Sequence, residues 1–496
     1  MSRSEGQNME YDLETIDVPT LETLSEAGVE AIHETTIEIL EDIGIRISHE
    51  GAVELLEEHG ASVEDDSEDA ELVTIPRSLI EDAVAEAPSS FTLHARNPDR
   101  SVGVGDGDGP ALASGYGAPN VRTFEDGTRS STIDDYETLA KLAQSEDVID
   151  VTGYNLCEPN DVPQEVKHYE MIQRSLTLTD KPILGSTYGP DRAKASLEMA
   201  GIANDDRELS KPYAAGVINT ISPRRWDKKM TGGLIEYAKH GQPTLVSAAV
   251  MANASGPSPL AGSMALANAE ILTGITIAQL TNPGTPVVYG LPSSNVDVRH
   301  GTFSIGSPEG ALFVSYAAQI GRYYDIPSRA GGCLTDAKTV DDQSGAESMM
   351  QLMTTMYSGI DFVLHAAGIL DSYSTVSPEK YVLDAERIRY VKRFQEGYDL
   401  DEDAFALDLL REVEPGGHFL DKRHTLNHCK TDHYMSEIYD RQSTDDWENQ
   451  GEKTSFELAR EKVDARLEEY EQPPLDEDLA AELERYVEKG SEKALQ

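Results

Sequence analysis

The chain has 496 residues, and its 41 Lys and Arg stand against 90 Asp and Glu, a formal net charge of −49. That length allows a large buried core or about three ordinary domains. Charge of this sign excludes unaided binding to nucleic-acid phosphates and disfavours an anionic membrane surface.

The acid sits at the two ends: 26 acidic and 5 basic residues in the first 100, and 27 and 12 in residues 401–496. From Gly241 to Val296 the one charged residue is Glu270. A halophilic, solvated surface accounts for this better than an interaction tail. The longest acidic run, residues 64–69, is short and interrupted by Ser67. Such a protein depends on salt to screen its own repulsion. Cys157, Cys333 and Cys429 are odd in number and far apart, so no disulfide framework is expected. Residues 1–14 lack the apolar core of a signal peptide, and no stretch of about 18 uninterrupted apolar residues exists. The expectation is a soluble, cytoplasmic protein.

Residues 20–90 read as short amphipathic helices. Leu24, Val29, Ile32, Thr36, Ile39, Leu40 and Ile43 follow a helical period that Gly44 ends. A second helix is expected over residues 49–59 and a third after Pro76. Residues 91–96 suggest a strand. Residues 1–105 are therefore expected to form a helical N-terminal region.

From residue 110 short apolar runs alternate with helical stretches. The expected strands are 111–115, 150–156, 182–187, 213–219, 244–250, 286–290, 328–333 and 361–367. Helices are expected to start near Ile133, Pro163, Pro190, Arg225, Gly262, Ser307, Asp342 and Ser377. Alternating strand and helix implies a parallel sheet. Eight such units predict an α/β protein with a closed (β/α)8 TIM-type barrel over residues 106–400; a doubly wound open sheet is the alternative. In the helix from Asp342, the stripe Ala346, Met349, Met350, Met353, Met356 and Tyr357 reads as core. Residues 401–496 are expected to be a charged helical extension.

In such a barrel, chemistry lies at the C-terminal ends of the strands. Those positions offer Tyr116, Tyr154, Asn155, Tyr188, Asn219, Tyr289, Arg299, His300 and His365, rich in tyrosine and amide and poor in base. No dinucleotide, P-loop or nucleophile-elbow motif is present. Tyrosines at a mouth suit a methylated ammonium ligand through their ring faces; each could equally pack the barrel. The densest polar stretch is residues 331–347. Its Gly331 and Gly332 permit close backbone approach to a ligand, and Asp336, Lys338 and Gln343 are candidate catalytic groups or simple helix caps. Residues 416–433 gather four histidines and Cys429. His424 and His428 are spaced to share one helical face, as zinc ligands would, yet no HExxH motif is present. A structural role is preferred there and no bound metal is expected. Glu270, isolated in a neutral stretch, needs a partner if buried.

Taken together, residues 39–47 (ILEDIGIRI), 52–64 (AVELLEEHGASVE), 221–227 (ISPRRWD), 255–290, 331–347, 362–372 (FVLHAAGILDS) and 416–428 (GGHFLDKRHTLNH) give a pattern spread over nearly the whole chain. It resembles the trimethylamine:corrinoid methyltransferase family, including members that lack pyrrolysine and act on quaternary amines such as glycine betaine. The resemblance implies a (β/α)8 barrel that moves a methyl group from a methylated amine to the Co(I) of a separate corrinoid protein. No pyrrolysine is written in this chain. A quaternary ammonium already carries its charge, so displacement releases a neutral amine and the site needs mainly positioning and a cation-tolerant lining. A substrate carboxylate would then want Arg299, His300 or His365, with His365 preferred. Two other functions compete: a zinc-dependent barrel enzyme using the 418–433 histidines, and a non-catalytic quaternary-ammonium-binding protein. Homo-oligomers are expected only as the common habit of such barrels.

Overall fold

The computed structural model describes residues 20–67 and 69–496, with the side chains of 65–67 left aside. The signal-peptide reading of residues 1–14 and the start of the 1–105 region lie outside the described residues.

Eight parallel strands close into a ring. In chain order they are Ala111–Leu112, residues 151–152, Ile183–Gly185, Ala214–Asn219, Thr244–Ser247, Val287–Gly290, Ser328–Gly331 and Phe362–Leu364. The second is only a pair of bridges, Ala113 to Val151 and Thr152 to Ile183, yet it joins the first strand to the third. The eighth pairs with the first, Phe362 against Ala111 and Val363 against Leu112, so the open-sheet alternative is excluded. Most of these strands are short apolar runs because both their faces are covered; Ser328–Gly331, with a buried Arg329, departs from that pattern.

Helices follow each strand near the expected places, except that Arg225–Trp226 is a strand and its helix starts at Lys228, and the helix expected from Pro163 starts at Lys167. Ile133–Ser145 opens with a capping box at Thr132 and Asp135, Pro308–Tyr324 with Ser307 before its N-terminal proline, and Asp342–Ser358 with a second capping box at Asp341. Leu260–Thr281 is long and apolar enough to cross a membrane by composition alone. Here protein covers it: it packs on Glu26–Glu38, Arg77–Glu86, Lys228–Lys239 and barrel strands five and six. Its Glu270 carboxylate is fully buried and accepts hydrogen bonds from the Thr220 and Ser222 hydroxyls and the Arg224 amide, while its carbonyl accepts from the Trp226 indole. The lone charge of the neutral stretch thus pins the turn after strand four, a structural task.

The N-terminal region holds the three expected helices, Glu26–Glu38 continued by the turn Ile39–Ile43, Glu50–Glu58 and Arg77–Glu86, and the strand Phe91–Leu93. It also contains strands that the sequence reading missed. Ile45–Ile47, Ser62–Ser67 and Ala70–Thr74 form a sheet that Arg225–Trp226 joins. The apolar positions of Ile45–Ile47 alternate over only three residues, and Ser62–Ser67 is an acidic edge strand, a composition that argues against strand until its partner is known.

Two small sheets stand over the strand ends. One combines Met251–Ala252, Ser294–Asp297 and Thr302–Ser304; the other combines Ile369–Leu370, Thr375–Val376, Asn120–Thr123 and Gly127–Ser130. They bring Phe303 and Tyr373 together across the mouth, ring centroids 6.1 Å apart and ring planes inclined by 29°.

Candidate active site

Strands seven and eight carry the residues that face one another beneath those rings. Arg329 lies in the middle of Ser328–Gly331 and is only 2 % exposed. Its Nη2 lies 3.4 Å from His365 Nδ1, and its Nε and Nη1 have no partner among the described residues. Burial lowers its pKa to about 10, so it remains charged at neutral pH. A buried guanidinium is costly unless a negative or polar group meets it.

His365 follows strand eight with φ +64°, a left-handed conformation uncommon for a residue other than glycine. Its Nε2 lies 3.0 Å from the carbonyl of Tyr116, so that nitrogen donates and Nδ1 is left to accept from Arg329. Burial first, then the Arg329 charge, pushes its pKa down to about 3. The imidazole is therefore neutral with both nitrogens occupied. It holds Arg329 in place, and the fixed positive charge at this spot is that of Arg329, a residue that sequence reasoning missed.

Aromatic surface surrounds this pair. Tyr116 meets His365 edge-on at 6.3 Å, and Tyr373 lies 4.7 Å from it. Burial raises both phenols above their ordinary range. Tyr373 closes a turn of three consecutive left-handed residues, Asp371, Ser372 and Tyr373, and its hydroxyl has no partner. Such strain persists only where surrounding contacts enforce it. Here the Asp371 and Ser372 amides donate to the carbonyls of Ala337 and Thr335, and the Ser372 hydroxyl donates to Asp336 at 2.6 Å.

Asp336 thereby acquires a definite role. Its carboxylate also accepts the backbone amides of Ile305 at 2.9 Å and Gly306 at 3.2 Å. It clamps the loop after Phe303 to the loop before Tyr373, and so positions both rings. Lys338 donates to the carbonyl of Asp336 and pairs with Asp371 at 3.0 Å from an exposed position, while Gln343 donates to Glu347. Neither faces Arg329. Both border a cleft of about 1000 Å³ that opens beside the chamber and shares Phe303 and Asp336 with it.

The remaining expected residues scatter. Tyr154 is buried, its carbonyl accepting from Tyr136 and its phenol contributing to the rise at Tyr116. Asn155 donates to Glu158, which Lys167 pairs at 2.7 Å. Asn219 ends strand four opposite Ser247. Tyr188 is half exposed and its ring already faces Lys229 at 4.2 Å. Tyr289 points the other way: it is fully buried against Tyr324 of Pro308–Tyr324, in the layer between strand and helix. Side chains alternate across a strand, so a tyrosine near a strand end can face either side. Arg299 and His300 stand at an exposed hairpin tip, and both turn back on Asp297. The glycines also serve the chain itself. A Cβ on Gly332 would lie 2.7 Å from Ala366 Cα and one on Gly331 2.1 Å from Leu334, so the close approach is to neighbouring chain, not to a ligand.

A buried network braces this mouth. Asp384 accepts from Lys380 Nζ at 2.6 Å, from Arg387 and from the Gly368 amide, and Lys380 also donates to the carbonyl of Cys333. It ties Pro378–Gln395 to the loops after strands seven and eight.

Comparison with known proteins agrees with this architecture. Residues 2–494 match the family described as trimethylamine methyltransferase (MTTB). The chain is 41 % identical over 417 residues to a glycine betaine methyltransferase of Desulfitobacterium hafniense (strain Y51), covering 84 % of this chain and 87 % of that one. It is 30 % identical over 387 residues to a proline betaine:corrinoid methyltransferase of Eubacterium limosum, 75 % and 78 % of the two chains. Among solved structures, the monomethylamine methyltransferase of Methanosarcina barkeri superposes with a TM-score of 0.52 over 92 % of this chain and 90 % of that one; at 13 % identity the likeness is one of fold.

Proposed function

The chain belongs to the trimethylamine methyltransferase family, and from that premise we propose that it takes a methyl group from a quaternary ammonium bearing a carboxylate, of the glycine betaine type, for a corrinoid carried on a separate protein. The observation that carries the substrate class is the unpaired Arg329 guanidinium beneath aromatic rings. A lone cation such as choline or a protonated amine meets an uncompensated positive charge there. A zwitterion brings the missing negative charge for Arg329 and sets its methylated nitrogen against Tyr116 and Tyr373.

The corrinoid, as Co(I), supplies the nucleophile. It arrives on its own protein, so this chain needs an open approach and no cobalt ligand of its own; the cleft beside Phe303 fits that requirement. The C–N bond breaks with its electron pair on nitrogen, and the amine leaves neutral. No proton is required, which agrees with a neutral His365 whose two nitrogens are engaged. The work left to the chain is orientation and exclusion of water.

Methyl transfer to reduced cobalamin in molar salt, offered glycine betaine, trimethylamine and choline in turn, tests this reading. Turnover with glycine betaine alone supports it. Equal turnover with trimethylamine overturns the carboxylate requirement. Tight betaine binding without turnover, with the corrinoid protein present, favours a binding protein instead.

A further inference from the structure

Residues 397–437 form an excursion that buries nothing: every residue in it is exposed or half-buried, until Ile438 returns to the core. Its short helices Glu402–Phe405, Leu407–Glu412 and Arg423–His428 contain no buried residue, and Phe405, Leu407, Leu410, Leu420 and Leu426 face outward. Ordering one residue costs about 1–2 kcal/mol of backbone entropy, and here there is no apolar core to offset it. Small units of this kind are held by a disulfide or a metal.

At its centre two distant pieces meet. His424 and His428 stack with ring centroids 4.2 Å apart, and their Nε2 atoms lie 3.6 Å and 3.0 Å from the two carboxylate oxygens of Asp403. The three donors all fall within 4.8 Å of one another. A tetrahedral ion with bonds of about 2.1 Å sets its ligands about 3.4 Å apart. Behind His428, Asp432 holds Nδ1 at 2.8 Å, the outer carboxylate that fixes the tautomer of a metal-bound histidine and leaves Nε2 free to ligate.

We propose that Asp403, His424 and His428 bind a divalent transition ion, zinc by the nitrogen and oxygen character of the set, and that this ion clips the 397–437 excursion together. The ion is structural. Pro378–Gln395 starts at the mouth, where the Ser377 amide donates to the carbonyl of Gly368, and runs about 24 Å back along the barrel to Arg393, which donates to the carbonyl of Asp432. The cluster therefore lies at the end of the barrel away from Arg329 and His365, which does not suit the zinc-enzyme alternative.

Titration of the full chain with zinc, in high salt and at mildly alkaline pH where imidazole ligands are neutral, tests the clip. Expected is one saturable ion per chain that the double substitution His424→Ala, His428→Ala abolishes and that Asp432→Asn weakens by about 10- to 100-fold. Zinc should slow proteolysis within residues 397–437, a chelator should reverse this, and methyl transfer should be unchanged by either. Diffuse binding that survives the double substitution would mean surface carboxylates and an ordinary imidazolium–carboxylate pair at His428, and would overturn the proposal. Saturable binding with no effect on proteolysis would overturn the clip.

Discussion

Arg329 and His365 are joined as a cation and a neutral ring: the guanidinium Nη2 donates to Nδ1 while the imidazole Nε2 donates to the carbonyl of Tyr116. Each proton is fixed by its neighbour, and the remaining donors, Nε and Nη1 of Arg329, have no acceptor among the described residues. The site is complete as a scaffold and incomplete as a charge balance. That imbalance is what a zwitterionic substrate would correct.

Arg329→Met should therefore separate stability from function. Removing a buried unpaired charge is expected to raise the melting temperature of the free protein, whereas loss of the carboxylate contact should lower kcat/KM for betaine by about 2–5 kcal/mol, roughly 30-fold or more. Thermal unfolding and kinetics on one preparation decide it. A variant that is less stable and fully active would remove Arg329 from the site.

The pH profile follows from the same pair. Burial and the Arg329 charge hold His365 near a pKa of about 3, against 6.5 in the unfolded chain. Between those values the unfolded state binds the extra proton. The contribution to stability is thus full above about 6.5 and is lost as pH falls toward about 3. Activity should be flat across neutrality, with an upper fall only as Arg329 titrates near about 10. A limb of kcat/KM near 6.5 would instead mean that His365 exchanges protons during turnover.

Asp336 should act on binding through the rings it positions. Asp336→Ala leaves the amides of Ile305 and Gly306 and the Ser372 hydroxyl without their acceptor, about 1–3 kcal/mol for each group that stays buried. The expected result is a raised KM for betaine with kcat less affected, and partial rescue by Asp336→Asn. A fall in kcat alone would point to direct participation in the chemistry.

The barrel was legible because parallel strands covered on both faces stand out as short apolar runs, and Asp, Ser and Pro mark the helix starts between them. The site was legible only as a list of strand ends. Tyr289 shows why: its place in Val287–Gly290 was read correctly, but the side it faces depends on register. Arg329 was passed over because one charged residue in SRAGG carries no spacing signal. Its importance lies in having no carboxylate partner among the described residues, which only the closed ring shows. Asp336 was picked out for its loop, and its partners at Ile305, Gly306 and Ser372 come from segments about 30 residues away on either side. Arg299 and His300 have a local partner in Asp297 that the DVRH stretch already contains.

The acidic surface yields the last prediction. At a formal charge of −49, self-repulsion favours the expanded chain, and its reach is set by salt: the screening length is about 10 Å at 0.1 M and about 3 Å at 1 M. Glu50, Glu57 and Glu58 on the N-terminal helix Glu50–Glu58 are exposed, so screening acts on them directly. A halophilic surface predicts that the melting temperature climbs steadily with potassium chloride and that sorbitol of equal osmolality does not substitute. An acidic docking surface predicts a melting temperature insensitive to salt together with capture of a basic partner at low ionic strength. Thermal unfolding across a salt series separates the two, because only the first ties folding itself to the ions.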